Sequence, residues 1–302
     1  MADDHLIKLQ ETIMAVYGNR GLTWWANLPY QLELLSKEHE LTLLSPFQGL
    51  SFNYVQPVIG PNQEAWVLKC GVPNDELTSE VAALRHYDGI GAVRLINADV
   101  DAGWMLVERC VPGCCLVDLS DEKQTIAIAV SVMHRLWRPV ENPDQFPTLA
   151  RWLRGLDHMK ANPFLKDVLS KALRGFADGR AQELLLSQGE PVLLHADLHH
   201  YNILQHQDTW IAIDPKGVVG EREFEIGAFL RNPLCVVEDP IETQAIARNL
   251  DQVIELTGFD RQKVLSWSII QAVLCVCWFS EDNMELKARQ LAVFTSRLYS
   301  LL

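Results

Sequence analysis

The chain has 302 residues, 48% hydrophobic and 22% charged, which is enough for a sizeable core and for two lobes, and it describes an ordinary globular protein. Its 26 basic and 39 acidic side chains give a net charge of −13, which disfavours nucleic acid or an anionic membrane as partner and suits a cationic small molecule. Met1-Ala2-Asp3-Asp4 has neither the basic nor the apolar segment of a secretory signal, and an odd seven cysteines in a chain too long to need staples point to a reducing cytoplasm.

In chain order, the first 45 residues are helix-compatible, with Trp24, Trp25, Leu28, Leu32 and Leu35 as apolar anchors. Ser45-Pro46-Phe47-Gln48-Gly49-Leu50-Ser51 has one glycine and no G-x-G-x-x-G, a poor phosphate cradle in which Ser51 is either a hydrogen-bond donor to phosphate or a turn residue. From Phe52 the period is two: Phe52, Tyr54 and Val58, then a turn at Gly60-Pro61-Asn62-Gln63 and a strand Ala65–Cys70 predict a hairpin, with Lys69 late in its second strand. Asn74 is a candidate cap for a helix running to Leu84 or Tyr87, and Glu80 lies within it. Ala92–Ile96 and Gly103–Glu108 read as two further strands. Glu108-Arg109-Cys110-Val111-Pro112-Gly113 falls where a hinge between lobes is expected; backbone groups at Glu108 and Cys110 suit an adenine edge, though any Pro-Gly linker looks similar.

Beyond Pro112-Gly113 the pattern is mainly helical. Its longest apolar stretch, Val264 to Phe279, is broken by Ser266, Ser268 and Gln271 and falls short of the roughly 20 residues of a membrane span, so a buried helix is predicted. The layout is α+β and bilobal, with a β-rich N-terminal nucleotide-binding lobe over residues 1–110 and a mainly helical lobe with the catalytic loop and acceptor site over 111–302.

The densest chemistry is His195-Ala196-Asp197-Leu198-His199-His200-Tyr201-Asn202, bounded by the apolar runs Val192–Leu194 and Ile203-Leu204, and followed by Ile211-Ala212-Ile213-Asp214-Pro215-Lys216-Gly217. Short apolar runs predict buried strands, which places the polar residues on the turns between them. Phosphoryl transfer needs one carboxylate to orient a hydroxyl and take its proton, and hard oxygen ligands for magnesium, for which an amide oxygen and a second carboxylate suffice.

The order Lys69, Glu80, hinge, His195-x-Asp197-x-x-x-x-Asn202, Ile213-Asp214 resembles the aminoglycoside phosphotransferase group of the protein-kinase-like superfamily. The blocks His195–Leu204 and Ile211–Glu221, with Leu230-Arg231-Asn232-Pro233, Glu80–Arg85 and Leu106–Gly113, are similar to its streptomycin 6-phosphotransferase and hydroxyurea-resistance kinase branch. The resemblance implies a bilobal protein-kinase-like fold with its active site between lobes, and transfer of the γ-phosphate of ATP or GTP, with Mg²⁺, to a hydroxyl of an aminocyclitol or similar amine. It implies Asp197 as catalytic base, Asn202 and Asp214 as magnesium ligands, Lys69 on the nucleotide phosphates and Glu80 as its orienter. Ala196 departs from the glycine usual in the family.

Other residues keep two readings each. His195 reads as a structural histidine bonding loop backbone in preference to a proton carrier, since Asp197 already supplies a base. His199 and His200 either line the acceptor site or stand in an exposed loop. Lys216 either neutralises phosphate or pairs with Glu221, Glu223 or Glu225. Those acids, with Glu281 and Asp282, either bind guanidinium and ammonium groups or are solvated surface. Two rival functions exist: a metal-dependent hydrolase built on His195, Asp197, His199 and His200, and a kinase-like module that binds nucleotide without transfer.

Overall fold

In a computed structural model of the protein the described residues are 2–232 and 243–302; Pro233, the last residue of the Leu230–Pro233 motif, lies outside them. The chain divides into two units, Met1–Val111 and Pro112–Leu302.

In the first unit, α1 (Ala2–Tyr17) and α2 (Asn19–Glu38) bury Leu9, Ile13, Trp24, Leu28 and Leu35 in one core with Tyr54, Val58, Leu68 and Leu106 of a sheet. Trp25 and Leu32, also predicted as anchors, pack at the rim of that core and are only partly buried. The sheet is antiparallel, in the order β1 (Thr42–Leu43), β2 (Tyr54–Ile59), β3 (Ala65–Cys70), β5 (Trp104–Glu108), β4 (Leu95–Asp99). The expected hairpin is in register from Tyr54 opposite Cys70 to Ile59 opposite Ala65. Helix α3 (Asp75–Tyr87) starts where Asn74 Oδ1 accepts the Leu77 amide at 2.8 Å, and two acids in its first turn favour the positive end of the helix dipole. The strand expected from Ala92 begins three residues later, at Leu95. Ala92 and Val93 are buried ahead of it, and a register shift between Leu95 and Asn97 interrupts the pairing with β5.

The second unit opens with β6 (Pro112–Cys115) and α4 (Glu122–Leu136), capped by the Asp121 carboxylate. Then come β7 (Arg138–Pro139), the short helices α5 (Leu149–Trp152), α6 (His158–Ala161) and α7 (Pro163–Val168), and α8 (Lys171–Leu186). The motif region supplies β8 (Val192–Leu194), β9 (Ile203–His206), β10 (Thr209–Ala212) and β11 (Val218–Gly220), paired as β10-β9-β6 and β11-β8-β7. The chain continues through α9 (Ile226–Arg231), α10 (Thr243–Thr257), α11 (Arg261–Glu281) and α12 (Glu285–Tyr299).

Helix α11 is the predicted core helix. By length and composition it is apolar enough to cross a membrane, yet every residue from Val264 to Cys277 is buried within the unit. The interrupting serines are accommodated because their hydroxyls donate to carbonyls one turn back, Ser266 to Gln262 at 2.6 Å and Ser268 to Val264 at 2.8 Å. Helix α9 lies so close that a Cβ on Gly227 would stand 2.3 Å from Gln271 Oε1. The Ser268 Cα lies 3.1 Å from the same point, so any side chain there would crowd α11 and the glycine lets α9 pack closely against it.

Candidate active site

In the first unit, Lys69 on β3 and Glu80 in the second turn of α3 meet with Nζ 2.7 and 2.8 Å from the two carboxylate oxygens. Both side chains are about nine-tenths buried (8% exposed each), so the pair is desolvated and neither partner tolerates loss of the other. That burial removes the alternative of two unrelated surface charges. Ser51 is exposed on the loop between β1 and β2, a loop whose Gly49 takes a positive φ of 72°. In the hinge segment the Glu108 amide donates to Arg94 O at 2.9 Å and the Arg109 amide to Ala65 O at 3.0 Å. Cys110 is buried, and burial pushes its thiol up to about 12, so the group stays protonated.

In the second unit, β8 ends at Leu194 and the chain turns through His195–Asn202 before β9. His195 stitches this turn to the one after β10. Its Nε2 stands 2.7 Å from Ile213 O, its Nδ1 accepts the Asp197 amide at 3.3 Å, and its carbonyl accepts the Lys216 amide at 2.8 Å. A carbonyl partner makes Nε2 the protonated nitrogen and an amide partner makes Nδ1 the acceptor, so the ring is neutral; burial brings its pKa down to about 4. Both ring nitrogens are engaged, which removes His195 from the metal cluster of the hydrolase alternative. Among the described residues no group of three or more His, Cys, Asp or Glu side chains is placed to hold a metal.

Asn202 Nδ2 donates to Asp197 O at 3.0 Å, and Asn202 O accepts the Ile213 amide at 2.9 Å, so the Asn202 turn lies beside the Asp214 turn. The Asn202 side-chain oxygen Oδ1 and the exposed Asp214 carboxylate are hard oxygens, the donor type that Mg²⁺ takes. Asp214 and Ala196 both take left-handed backbone, φ 57° and 66°. Glycine adopts that conformation freely, whereas alanine at 196 is strained by about 1 kcal/mol.

Asp197 is a quarter exposed, with Oδ1 3.0 Å from Arg231 Nη2 and Oδ2 3.7 Å from His199 Nε2. His199 is mostly buried, and burial holds its pKa below the usual value against the pull of Asp197. His200 is not an exposed loop residue: its ring stacks on Phe229 at 4.2 Å, its carbonyl accepts the Cys115 thiol, and burial brings its pKa down to about 4.

Within the acidic set Glu281 and Asp282 are exposed, as the surface reading has it, whereas Glu221 and Glu225 are buried. Glu225 is fully buried and its two oxygens accept the His195 and Ala196 amides, each at 2.8 Å. Burial pushes its carboxyl up to about 7, opposed by amide donors from His195, Ala196 and Leu198. Glu221, also buried, accepts Trp267 Nε1 at 2.7 Å and the Gly189 amide at 2.9 Å, and it shares Lys263 with Glu223. Glu281 pairs with His158 at 3.0 Å. Glu225 thus supports the loop after β8, Glu221 ties Gly189 to α11, and neither is a surface receptor for a cation.

Sequence reasoning quoted Arg231 without a role and gave Glu225 the wrong one. Their partners lie 34 and about 30 positions away, and no local spacing marks such contacts.

The profile of a family described as aminoglycoside/hydroxyurea antibiotic resistance kinase matches residues 44–283. The chain is similar to streptomycin 6-kinase of Streptomyces glaucescens, with 28% identity over 299 residues covering 94% of each chain. It is equally similar to hydroxyurea phosphotransferase of Kitasatospora aureofaciens, with 28% identity over 292 residues, 95% of this chain and 83% of that one. Among solved structures, choline kinase from Streptococcus pneumoniae superposes with a TM-score of 0.63 at 14% identity, covering 90% of this chain and 99% of that one, which shows a shared protein-kinase-like fold.

Proposed function

This chain belongs to the aminoglycoside/hydroxyurea antibiotic resistance kinase family, and from that premise we propose that it transfers the γ-phosphate of ATP to a hydroxyl of an aminocyclitol of the streptomycin kind. Membership supports a phosphotransferase-type enzyme; the acceptor and the residue roles are the proposal. The observation that carries it is the His195-stitched pair of turns, which holds the side chains of Asp197, Asn202 and Asp214 on adjoining backbone.

In this reading Asp197 orients the acceptor hydroxyl and takes its proton as the oxygen bonds to the γ-phosphorus and ADP leaves. Asn202 and Asp214 would hold Mg²⁺, which would neutralise phosphate charge. Lys69 binds the nucleotide phosphates, and Glu80 fixes its ammonium by the two hydrogen bonds already described. Ser51 donates to phosphate, and the backbone at Glu108 and Cys110 meets the adenine edge. Residues 1–110 thereby serve the nucleotide, and 111–302 serve the catalytic loop and the acceptor.

The equal identity to a hydroxyurea phosphotransferase supports a second acceptor class, a small uncharged hydroxylamide. Purified protein with MgATP is to be tested against streptomycin and hydroxyurea, following ADP release and acceptor mass, with Asp197→Ala as control. Phosphate added to streptomycin by the wild type, with a loss of at least about a thousandfold in the variant, is the expected result. Full transfer by Asp197→Ala would falsify the base assignment, and phosphorylation of hydroxyurea alone would select the second acceptor.

A further inference from the structure

Arg231 ends α9, is nine-tenths buried, and reaches two groups with two different nitrogens. Nη2 donates to Asp197 Oδ1 at 3.0 Å, and Nη1 donates to the Cys275 thiol sulfur. Cys275 stands one helical turn beyond Gln271 on α11, and Gln271 Nε2 donates to Ala196 O at 3.4 Å. Glu225, immediately before α9, grips the amides of His195 and Ala196. One short segment, 225–231, therefore holds the backbone of the loop at its first residue and the carboxylate of Asp197 at its last, while α11 backs both contacts.

A carboxylate on an aspartate is free to rotate about two torsions, and an unrestrained base presents the wrong oxygen part of the time. The guanidinium is a rigid planar fork, and its burial at the end of α9 restricts where Nη2 meets Oδ1. Oδ2, 3.7 Å from His199 Nε2, is then the oxygen that Arg231 does not hold. We propose that Arg231 is a positioning residue for Asp197. This rests on the proposed role of Asp197 as base. Lysine cannot replace it fully, because an ammonium at the end of a flexible stem lacks the planar, pre-organised donor geometry of the guanidinium.

The test uses the full chain, comparing Arg231→Ala and Arg231→Lys with wild type and Asp197→Ala by crystal structure and by kinetics with MgATP and streptomycin. In Arg231→Ala the Asp197 carboxylate is expected to leave its single orientation, and kcat to fall about 100-fold with the nucleotide KM changed by less than about threefold. Arg231→Lys recovers part of kcat, and millimolar guanidinium added to Arg231→Ala recovers part as well; a purely structural role gives no such rescue. Where the alanine variant does not accumulate, the lysine variant and its crystal structure carry the comparison, with the carboxylate again displaced. An Asp197 carboxylate that keeps its orientation without Arg231 overturns the proposal. So does full kcat in Arg231→Ala beside an inactive Asp197→Ala, and in that case the base assignment survives alone. Full activity of Asp197→Ala overturns both.

Discussion

His195 shows how one buried side chain sets both geometry and pH behaviour. It is neutral in the folded protein down to about pH 4, whereas the unfolded chain protonates it near 6.5. A pKa depressed on folding contributes stability that is complete above the unfolded value and is lost as pH falls from 6.5 toward 4. The contribution across that window is about 3 kcal/mol. Glu225 works in the other direction: its pKa rises from 4.5 to about 7 on folding, so its contribution is present below 4.5 and lost as pH rises to 7. The difference between wild type and His195→Gln therefore isolates the histidine. Denaturant titrations at pH values spanning the window are expected to show a shallower acid loss in the variant; parallel curves would mean that His195 protonates as freely folded as unfolded. Ala196, next along, shows why a glycine suits its position: the left-handed backbone is a feature of the turn, whichever residue occupies it.

At the scale of elements, the loop after β8 is held by pieces that follow it in the chain. Glu225, at the junction of the turn 222–225 with α9, accepts amides that water cannot reach, and Gly227 lets α9 sit against α11. Glu225→Gln keeps the shape but turns an NH₂ group toward one of the two amides. The expected outcome is a loss of about 2–3 kcal/mol in unfolding free energy. Faster hydrogen exchange at the amides of His195 and Ala196 is the local readout, and unchanged exchange there would show that the carboxylate is not their anchor. The Lys69–Glu80 pair follows the same rule in the first unit, where strand and helix each bring a charge that is tolerable only beside the other.

For the molecule as a whole, the net charge of −13 acts at long range. It draws a polycationic aminocyclitol and is indifferent to an uncharged hydroxylamide. With the first acceptor, kcat/KM is expected to fall about tenfold as the Debye length shortens from about 10 Å at 0.1 M salt to about 3 Å at 1 M, and with the second to stay level. A flat profile with a charged acceptor would show that steering has no part in its capture.

Local pattern was enough to predict the β2–β3 hairpin, the Asn74 cap, a buried helix around Val264–Phe279 and the turns that carry Asp197, Asn202 and Asp214. Each depends on neighbours within a few residues: alternation, a capping side chain, an apolar run between turn residues. The start of β4 slipped by three because burial of Ala92 and Val93 outside the strand looks like strand in composition. Whether Lys69 and Glu80 were partners or bystanders, and whether Glu221 and Glu225 faced solvent or the core, needed the packed chain. So did the Arg231 contact to Asp197. Charged side chains have no intrinsic preference that says which distant group will desolvate them, so their burial and their partners arise only when separate elements close on one another.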